Sequence, residues 1–247
     1  MQEKLHIKLI ETSVVHGRII KRLNRFTVET NVDGRIIKAH LTNTGRLKEY
    51  IVSGKKALLI RISAPKLKYR IVAVEDGDAY AVIDTLTQAK AFEYAFNRGL
   101  IKRFRDCRVI TKNPRVYDSM LDYIIECDGM RYYVEMKSAV LRGPDREAMY
   151  PDCPSIRGRR HIKTLMKLVE LGEKGLLVFL AGFPRARCIK PYEEGDPEVA
   201  RLMRDAYISG VEILGISIYM KSGGEIFMEN NDLPICRAWL NSFTCRS

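Results

Sequence analysis

Between residues 121 and 138 the chain sets two acids and a lysine where they can act on a phosphodiester. The stretch reads Leu121-Asp122-Tyr123-Ile124-Ile125, then Asp128-Gly129, then Tyr132-Tyr133-Val134-Glu135-Met136-Lys137. Two strand-like runs about an Asp-Gly pair predict a hairpin. Residues two apart on a strand share a face, so Glu135 and Lys137 point the same way. Asp122, on the antiparallel neighbour, then lies beside Glu135. Two carboxylates can hold a hard divalent cation, Mg2+ or Mn2+, and an ammonium can polarise an attacking water or the phosphoryl oxygens. Asp122 and Glu135 are therefore candidate metal ligands, and Lys137 completes a candidate catalytic set. The plain alternative is a solvated strand face with a cross-strand ion pair. Against it, Val134 and Met136 occupy the opposite face of what reads as a core strand, where charge needs a reason.

The elements that must position these residues fall into two parts. Residues 1–85 read as strands. Arg25–Val32 alternates, with Phe26, Val28 and Val32 on one face; Asp33-Gly34 turns the chain into Arg35–Leu41. Lys56–Ile62 is a further strand, and Tyr69–Glu75 and Ala79–Asp84 form a hairpin across Asp76-Gly77-Asp78. Short, numerous strands predict a small barrel of the OB type, which binds oligonucleotides across an exposed basic face. In residues 86–247 the periodicity changes, and the order α-β-β-β-α-β-α-β predicts a mixed sheet flanked by helices. One helix carries Ile162, Leu165, Met166 and Val169 on a single face; another opens with Asp196 as N-cap and Pro197 in its first turn. The fold class is thus α/β (α+β overall).

Charge separates the same two parts. Residues 1–74 hold 16 Lys/Arg against 5 Asp/Glu, whereas residues 75–247 hold 26 against 25. Nearly the whole excess of +12 lies in the first third. Segregated positive charge without an amphipathic helix implies a polyanion, nucleic acid before membrane. The longest apolar run, Leu176–Ala181, is too short to span a bilayer, and Met1-Gln2-Glu3-Lys4 lacks an apolar signal region. Six cysteines (107, 127, 153, 188, 236, 245) show no Cys-x-x-Cys pair, so an intracellular, cytoplasmic and mostly reduced protein is expected. Only Gln2 and Gln88 represent glutamine, a hint of a thermophilic source.

Several separated segments carry a resemblance. They are Asn24-Arg25-Phe26, Ala39-His40-Leu41-Thr42-Asn43-Thr44-Gly45-Arg46-Leu47, Ile83-Asp84-Thr85, Ser119–Tyr123, Val134–Ser138, and Tyr150-Pro151-Asp152 through Arg157-Gly158 to His161. In this order they resemble the sugar fermentation stimulation protein family, SfsA, over nearly the full length. The resemblance implies an N-terminal OB-like domain, here residues 1–85, and a C-terminal domain of the PD-(D/E)xK nuclease fold, residues 86–247. It also implies DNA binding and an association with sugar-utilisation genes. Asp122, Glu135 and Lys137 match the nuclease triad. The sequence departs from the pattern at Leu121 (proline in the motif), Tyr123 (Phe in the family), Ile156 (an acid) and Leu86-Thr87-Gln88 (Pro-Asn).

Two further stretches are candidates for nucleic-acid contact. Asn43, Thr44 and Arg46 flank a glycine in a polar loop, with Arg22 and Arg25 close in sequence; a self-bonded turn is the alternative. Asp152–His161 leads into a helix with Arg157, Arg159, Arg160 and His161 at its start. Cations there oppose the helix dipole unless an anion binds. Arg157 and His161, four apart, share a face.

The reading is a DNA-binding protein that contacts mainly backbone phosphates and carries a Mg2+-dependent deoxyribonuclease site. The alternative is a non-catalytic DNA-binding regulator that uses the nuclease fold as a scaffold. A basic barrel grips RNA as well as DNA, and a two-fold homodimer would suit cutting both strands.

Overall fold

A computed structural model describes residues 5–244, without the side chains of residues 243 and 244. Met1–Lys4 and Cys245, both used in the sequence reading, lie outside the described residues. The chain divides into two units. The first takes residues up to Tyr94 with Gly182–Arg185 and Ser217–Asn230; the second takes Ala95–Ala181, Ala186–Ile216 and the chain from Asn231.

The first unit opens with β1 (Ile7–Glu11), β2 (Val15–Asn24), β3 (Thr27–Val32), β4 (Arg35–His40), β5 (Lys56–Arg61), β6 (Tyr69–Asp76) and β7 (Ala79–Val82). Asp33 and Gly34 both have positive φ, 49° and 80°, the turn whose twist suits a two-residue hairpin. β2 pairs with β5 through Val15–Arg18 and with β3 through Arg18–Asn24, bending between the two. Gly17 permits the bend, since a Cβ there would stand 2.8 Å from Thr30 Cγ2 and 2.9 Å from Leu59 Cδ1. β4 then meets β6 in parallel at Ala39–Tyr69 and His40–Arg70, closing β4-β3-β2-β5-β6 into an OB-like barrel. Ile19, Val28, Ala39, Leu58 and Ile71 fill its interior. Phe26 does not share the inner face expected of it. It stands in the β2–β3 turn, 52% exposed, and Thr30 occupies the inward position between Val28 and Val32.

α1 (Thr85–Asn97) buries Ala91, Phe92, Ala95 and Phe96, which share one face at helical spacing. The second unit continues with β8 (Arg108–Lys112), β9 (Arg115–Val116), β10 (Ser119–Met120), β11 (Tyr123–Cys127), β12 (Met130–Ser138), β13 (Leu141–Arg142) and β14 (Glu147–Tyr150). Then come α2 (Ile156–Glu170), β15 (Lys174–Ala181), β16 (Cys188–Pro191), α3 (Pro197–Ile208), β17 (Glu212–Met220), β18 (Glu225–Leu233) and α4 (Arg237–Thr244), of which β17 from Ser217 and β18 up to Asn230 belong to the first unit. β8, β11 and β12 are antiparallel neighbours, and β12 runs parallel to β15, giving a mixed sheet. β13, β14 and β16 make a small second sheet. α2 packs on β12, β15 and α3. Asp128 and Gly129 take the positive φ values, 49° and 77°, expected of the Asp-Gly turn between β11 and β12.

The expected element order lacks β1, β2, β14, β16, β18 and α4. It also passed over β9, β10 and β13, whose two residues are too few to show alternation. The expectation of a mostly reduced chain is corrected: Cys107 pairs with Cys127 and Cys188 with Cys236. These partners are 20 and 48 residues apart, and pairs joined by folding leave no local spacing motif. Cys153 is free. Among the described residues no helix is long and apolar enough to cross a membrane.

Candidate active site

The second unit brings the three expected residues together on the β11–β12 hairpin. Asp122 precedes β11, and its Oδ2 accepts the Met136 N–H at 2.6 Å. Tyr123 lies opposite Val134 in the register, which places Asp122 beside Glu135. Lys137 Nζ donates to Glu135 Oε1 at 2.6 Å, so the two-residue period does align these side chains. Glu135 and Lys137 are 3% and 7% exposed. Charges so deeply buried cost free energy unless they are paired.

α2 supplies the other partners. Ser155 caps it by accepting the Gly158 N–H at 3.0 Å, and Asp196 accepts the Ser155 N–H at 2.8 Å. A Cβ on Gly158 would collide with the Tyr150 hydroxyl and Ser155 Oγ, so glycine lets the first turn approach β14. His161, 1% exposed, sets Nδ1 2.5 Å from Glu135 Oε1. Arg157 donates from Nε to His161 Nε2 at 3.4 Å. The expected shared face of Arg157 and His161 therefore turns toward Glu135. Lys137 Nζ also lies 5.8 Å from the ring centre of Tyr150. Tyr150, Ser155 and Asp196 give no local sequence signal of these contacts, which join residues distant along the chain. Arg159 meets Asp196 in a bidentate pair, with Nε–Oδ2 at 3.0 Å and Nη2–Oδ1 at 2.8 Å. Asp196 thus offsets part of the positive charge at the start of α2.

The electrostatics are unbalanced. Burial, then the neighbouring Glu135, pushes Asp122 up from 3.8 to about 6, against the Met136 N–H, Lys137 and Arg157. Burial also pushes Glu135 upward, but Lys137 and His161 outweigh it and hold the carboxyl below its ordinary value. Burial lowers the Lys137 ammonium, while the oxygens of Tyr150, Glu135 and Asp122 raise it and prevail. Glu135 Oε2 is buried with no hydrogen-bond partner among the described residues. No group of three His, Cys, Asp or Glu side chains is disposed to hold a metal ion among those residues. Mg2+, however, commonly binds through one or two carboxylates and keeps several waters. Asp122 and the orphaned Glu135 oxygen fit that pattern.

In the first unit, Arg22 is committed to the backbone. Nη1 donates to the carbonyls of Gly45 at 2.6 Å and Arg46 at 2.8 Å, Nη2 to Arg25 at 3.1 Å, and Nε to Asn24 at 3.1 Å. Asn43, buried, accepts the Gly45 N–H at 3.1 Å. Thr44 is half-buried, while Arg25 and Arg46 are exposed beside this braced loop. Below it Asp84, fully buried, accepts from Thr42 Oγ1 at 2.6 Å, Thr87 Oγ1 at 2.6 Å and Thr87 N at 2.9 Å, with Arg70 Nε 3.2 Å away.

Fold and site together define a class: an OB-like barrel followed by a mixed α/β unit that buries a carboxylate, lysine and histidine cluster. Comparison with known proteins makes the class particular. Residues 20–83 match the SfsA N-terminal OB domain and residues 86–224 the sugar fermentation stimulation protein RE domain. The chain belongs to the SfsA family. A sugar fermentation stimulation protein homolog of Pyrococcus furiosus is 42% identical over 221 residues, covering 89% of this chain and 96% of the relative. That of Archaeoglobus fulgidus is 38% identical over 235 residues, covering 93% and 99%. The solved structure of Pyrococcus furiosus SfsA in complex with Ca2+ matches with a TM-score of 0.90 at 40% identity, covering 93% of this chain and 99% of that one.

Proposed function

We propose that the protein binds DNA mainly through backbone phosphates and hydrolyses phosphodiester bonds with Mg2+ (or Mn2+) held by Asp122 and Glu135. The observation that carries this reading is the pair of mutually repelling carboxylates, half-buried Asp122 and buried Glu135, the latter with an unpartnered oxygen. A pure binder of a polyanion gains nothing from them unless a cation intervenes. Pyrococcus furiosus SfsA was solved with Ca2+, a hard cation with the same preference for oxygen. Bound there, Mg2+ would neutralise the phosphoryl oxygens and acidify a water. Lys137 and His161 hold Glu135 in place and balance its charge. Lys137, in the same cluster, can orient the attacking water. Arg157, on the outer side of His161, is exposed and available to a phosphate. In the barrel, Arg25 and Arg46 supply phosphate contacts from a loop that Arg22 and Asn43 brace.

One observation favours the non-catalytic reading. Glu135 Oε1 is already shared by Lys137 and His161, so part of the carboxylate is neutralised within the protein. Incubation of single- and double-stranded DNA with Mg2+, Mn2+ or EDTA, alongside Glu135→Ala, separates the two. Cutting that needs metal and is lost in the variant supports the nuclease. Tight binding without cutting under every condition supports the scaffold.

A further inference from the structure

Beside the carboxylate cluster, a different flank of α2 borders a cavity of about 430 Å³. Arg160, Lys163, Thr164 and Lys167 follow helical spacing along this flank, and Ile156, 79% exposed, stands at its N-terminal end. Across from them is Tyr117, at the tip of the β9–β10 hairpin and 49% exposed. Lys167 Nζ sits 4.0 Å from the Tyr117 ring centre. The hairpin is fixed to α2 by a buried hydrogen bond between Ser119 and Thr164 hydroxyls at 2.8 Å.

Tyr117 holds φ at +54°, a left-handed conformation that suits Gly or Asn in a tight turn and strains a bulky residue. Half of its side chain faces solvent. A strained, exposed aromatic beside three exposed cations is an arrangement suited to one kind of occupant. A ring face receives a base of any identity, and evenly spaced cations receive the phosphates that follow. Asp118 is the one acid bordering the cavity. The hairpin also leads through Met120 and Leu121 directly into Asp122. A strand gripped here is therefore registered to the carboxylates by the same short segment.

We propose that this cavity is a single-stranded DNA subsite: an unpaired base stacks on Tyr117 while flanking phosphates lie on Arg160, Lys163 and Lys167. The proposal rests on the nuclease reading in one respect, that it makes the substrate a single strand or a duplex with an unpaired flank. A base in a blunt duplex is stacked on its neighbours and cannot offer its face to Tyr117.

The test measures affinity for a labelled oligothymidylate and for a blunt duplex, without metal and with Ca2+, and cleavage of both with Mg2+. Tyr117→Ala is expected to weaken single-strand binding about tenfold, the scale of losing one stacked base, and Tyr117→Phe to retain it. Blunt-duplex affinity is expected to stay within twofold in both variants. Lys163→Ala/Lys167→Ala should lower the slope of log affinity against log salt by about 1.4, two phosphates' worth for a single strand. Tyr117→Gly supplies the control on folding: it relieves the backbone strain, so it should melt at or above the wild-type temperature while losing the same affinity. Single-strand affinity unchanged in Tyr117→Ala and Tyr117→Gly overturns the subsite, even if DNA is cut. Equal losses for oligothymidylate, duplex and heparin in the lysine variant also overturn it, as a plain cationic patch. Tyr117-dependent binding with no cleavage upholds the subsite while the nuclease reading falls.

Discussion

Two aspartates, fully buried Asp84 in the first unit and half-buried Asp122 in the second, meet opposite fates. Asp84 is saturated. Two threonine hydroxyls, a backbone N–H and a nearby guanidinium surround it. Asp122 keeps one strong hydrogen bond, faces a second carboxylate, and is driven up to about 6. The fold can satisfy a buried acid completely when the acid serves structure. Asp122 and the Glu135 Oε2 atom are not balanced in this way, and on the proposed function a cation supplies the missing charge. The same contrast holds among the cations. Arg22 spends four hydrogen bonds on carbonyls, whereas Arg25, Arg46 and Arg157 remain exposed.

The sharpest division between the two regions lies in activity. Glu135→Ala is expected to reduce metal-dependent cleavage roughly a thousandfold, comparable to losing a general acid or base, while DNA affinity holds or rises. Next comes stability, where the two aspartates should differ in sign. Asp84→Ala strands Arg70 and the Thr42 and Thr87 hydroxyls and is expected to cost about 3–5 kcal/mol in chemical unfolding. Asp122→Asn keeps an acceptor for the Met136 N–H and removes a disfavoured charge, so it should stabilise the protein at pH 7.5 by about 2–3 kcal/mol. Equal losses in both variants would break the contrast.

The pH dependence follows from the same shift. Because the folded-state value is raised from 3.8 to about 6, protonated Asp122 favours the fold. Its contribution is full below pH 4 and is lost as pH rises through 6. The stability difference between wild type and Asp122→Asn should therefore open between pH 4 and 6 and stay constant above. Metal affinity should run the other way, weakening as pH drops below 6, because Asp122 must give up its proton to hold the cation. The smallest expected effect concerns the barrel. Arg25→Ala/Arg46→Ala should weaken binding alike on every DNA sequence and reduce the salt slope by about 2, with the melting temperature nearly unchanged. Arg22→Ala should lower the melting temperature as well, because the loop's carbonyls lose their donors.

How far the sequence disclosed this architecture depends on distance along the chain. The hairpin that joins Asp122 to Glu135 and Lys137 is local, so strand period and an Asp-Gly turn suffice to align the three. The Asp196–Pro197 helix start and the Arg157–His161 face are local too, and both are present as read. Phe26 fails as an inward residue because alternation was extended one residue beyond the strand into the turn. Tyr150 over Lys137, Asp196 on Arg159, and the two disulfides each depend on chain crossings that no window of neighbouring residues contains. The braced state of Arg22 is likewise invisible: an arginine beside a polar loop reads the same whether it faces phosphate or carbonyl.

On the proposed function the Asp122–Glu135 pair takes up a cation. Thermal unfolding of wild type and Asp122→Asn at pH 7.5, with EDTA and with Mg2+ or Ca2+, tests it most directly. The expected result is a variant that melts higher than wild type in EDTA, and a wild type that gains from the metal while the variant does not. A wild type indifferent to both metals, or a variant that melts lower in EDTA, would contradict it.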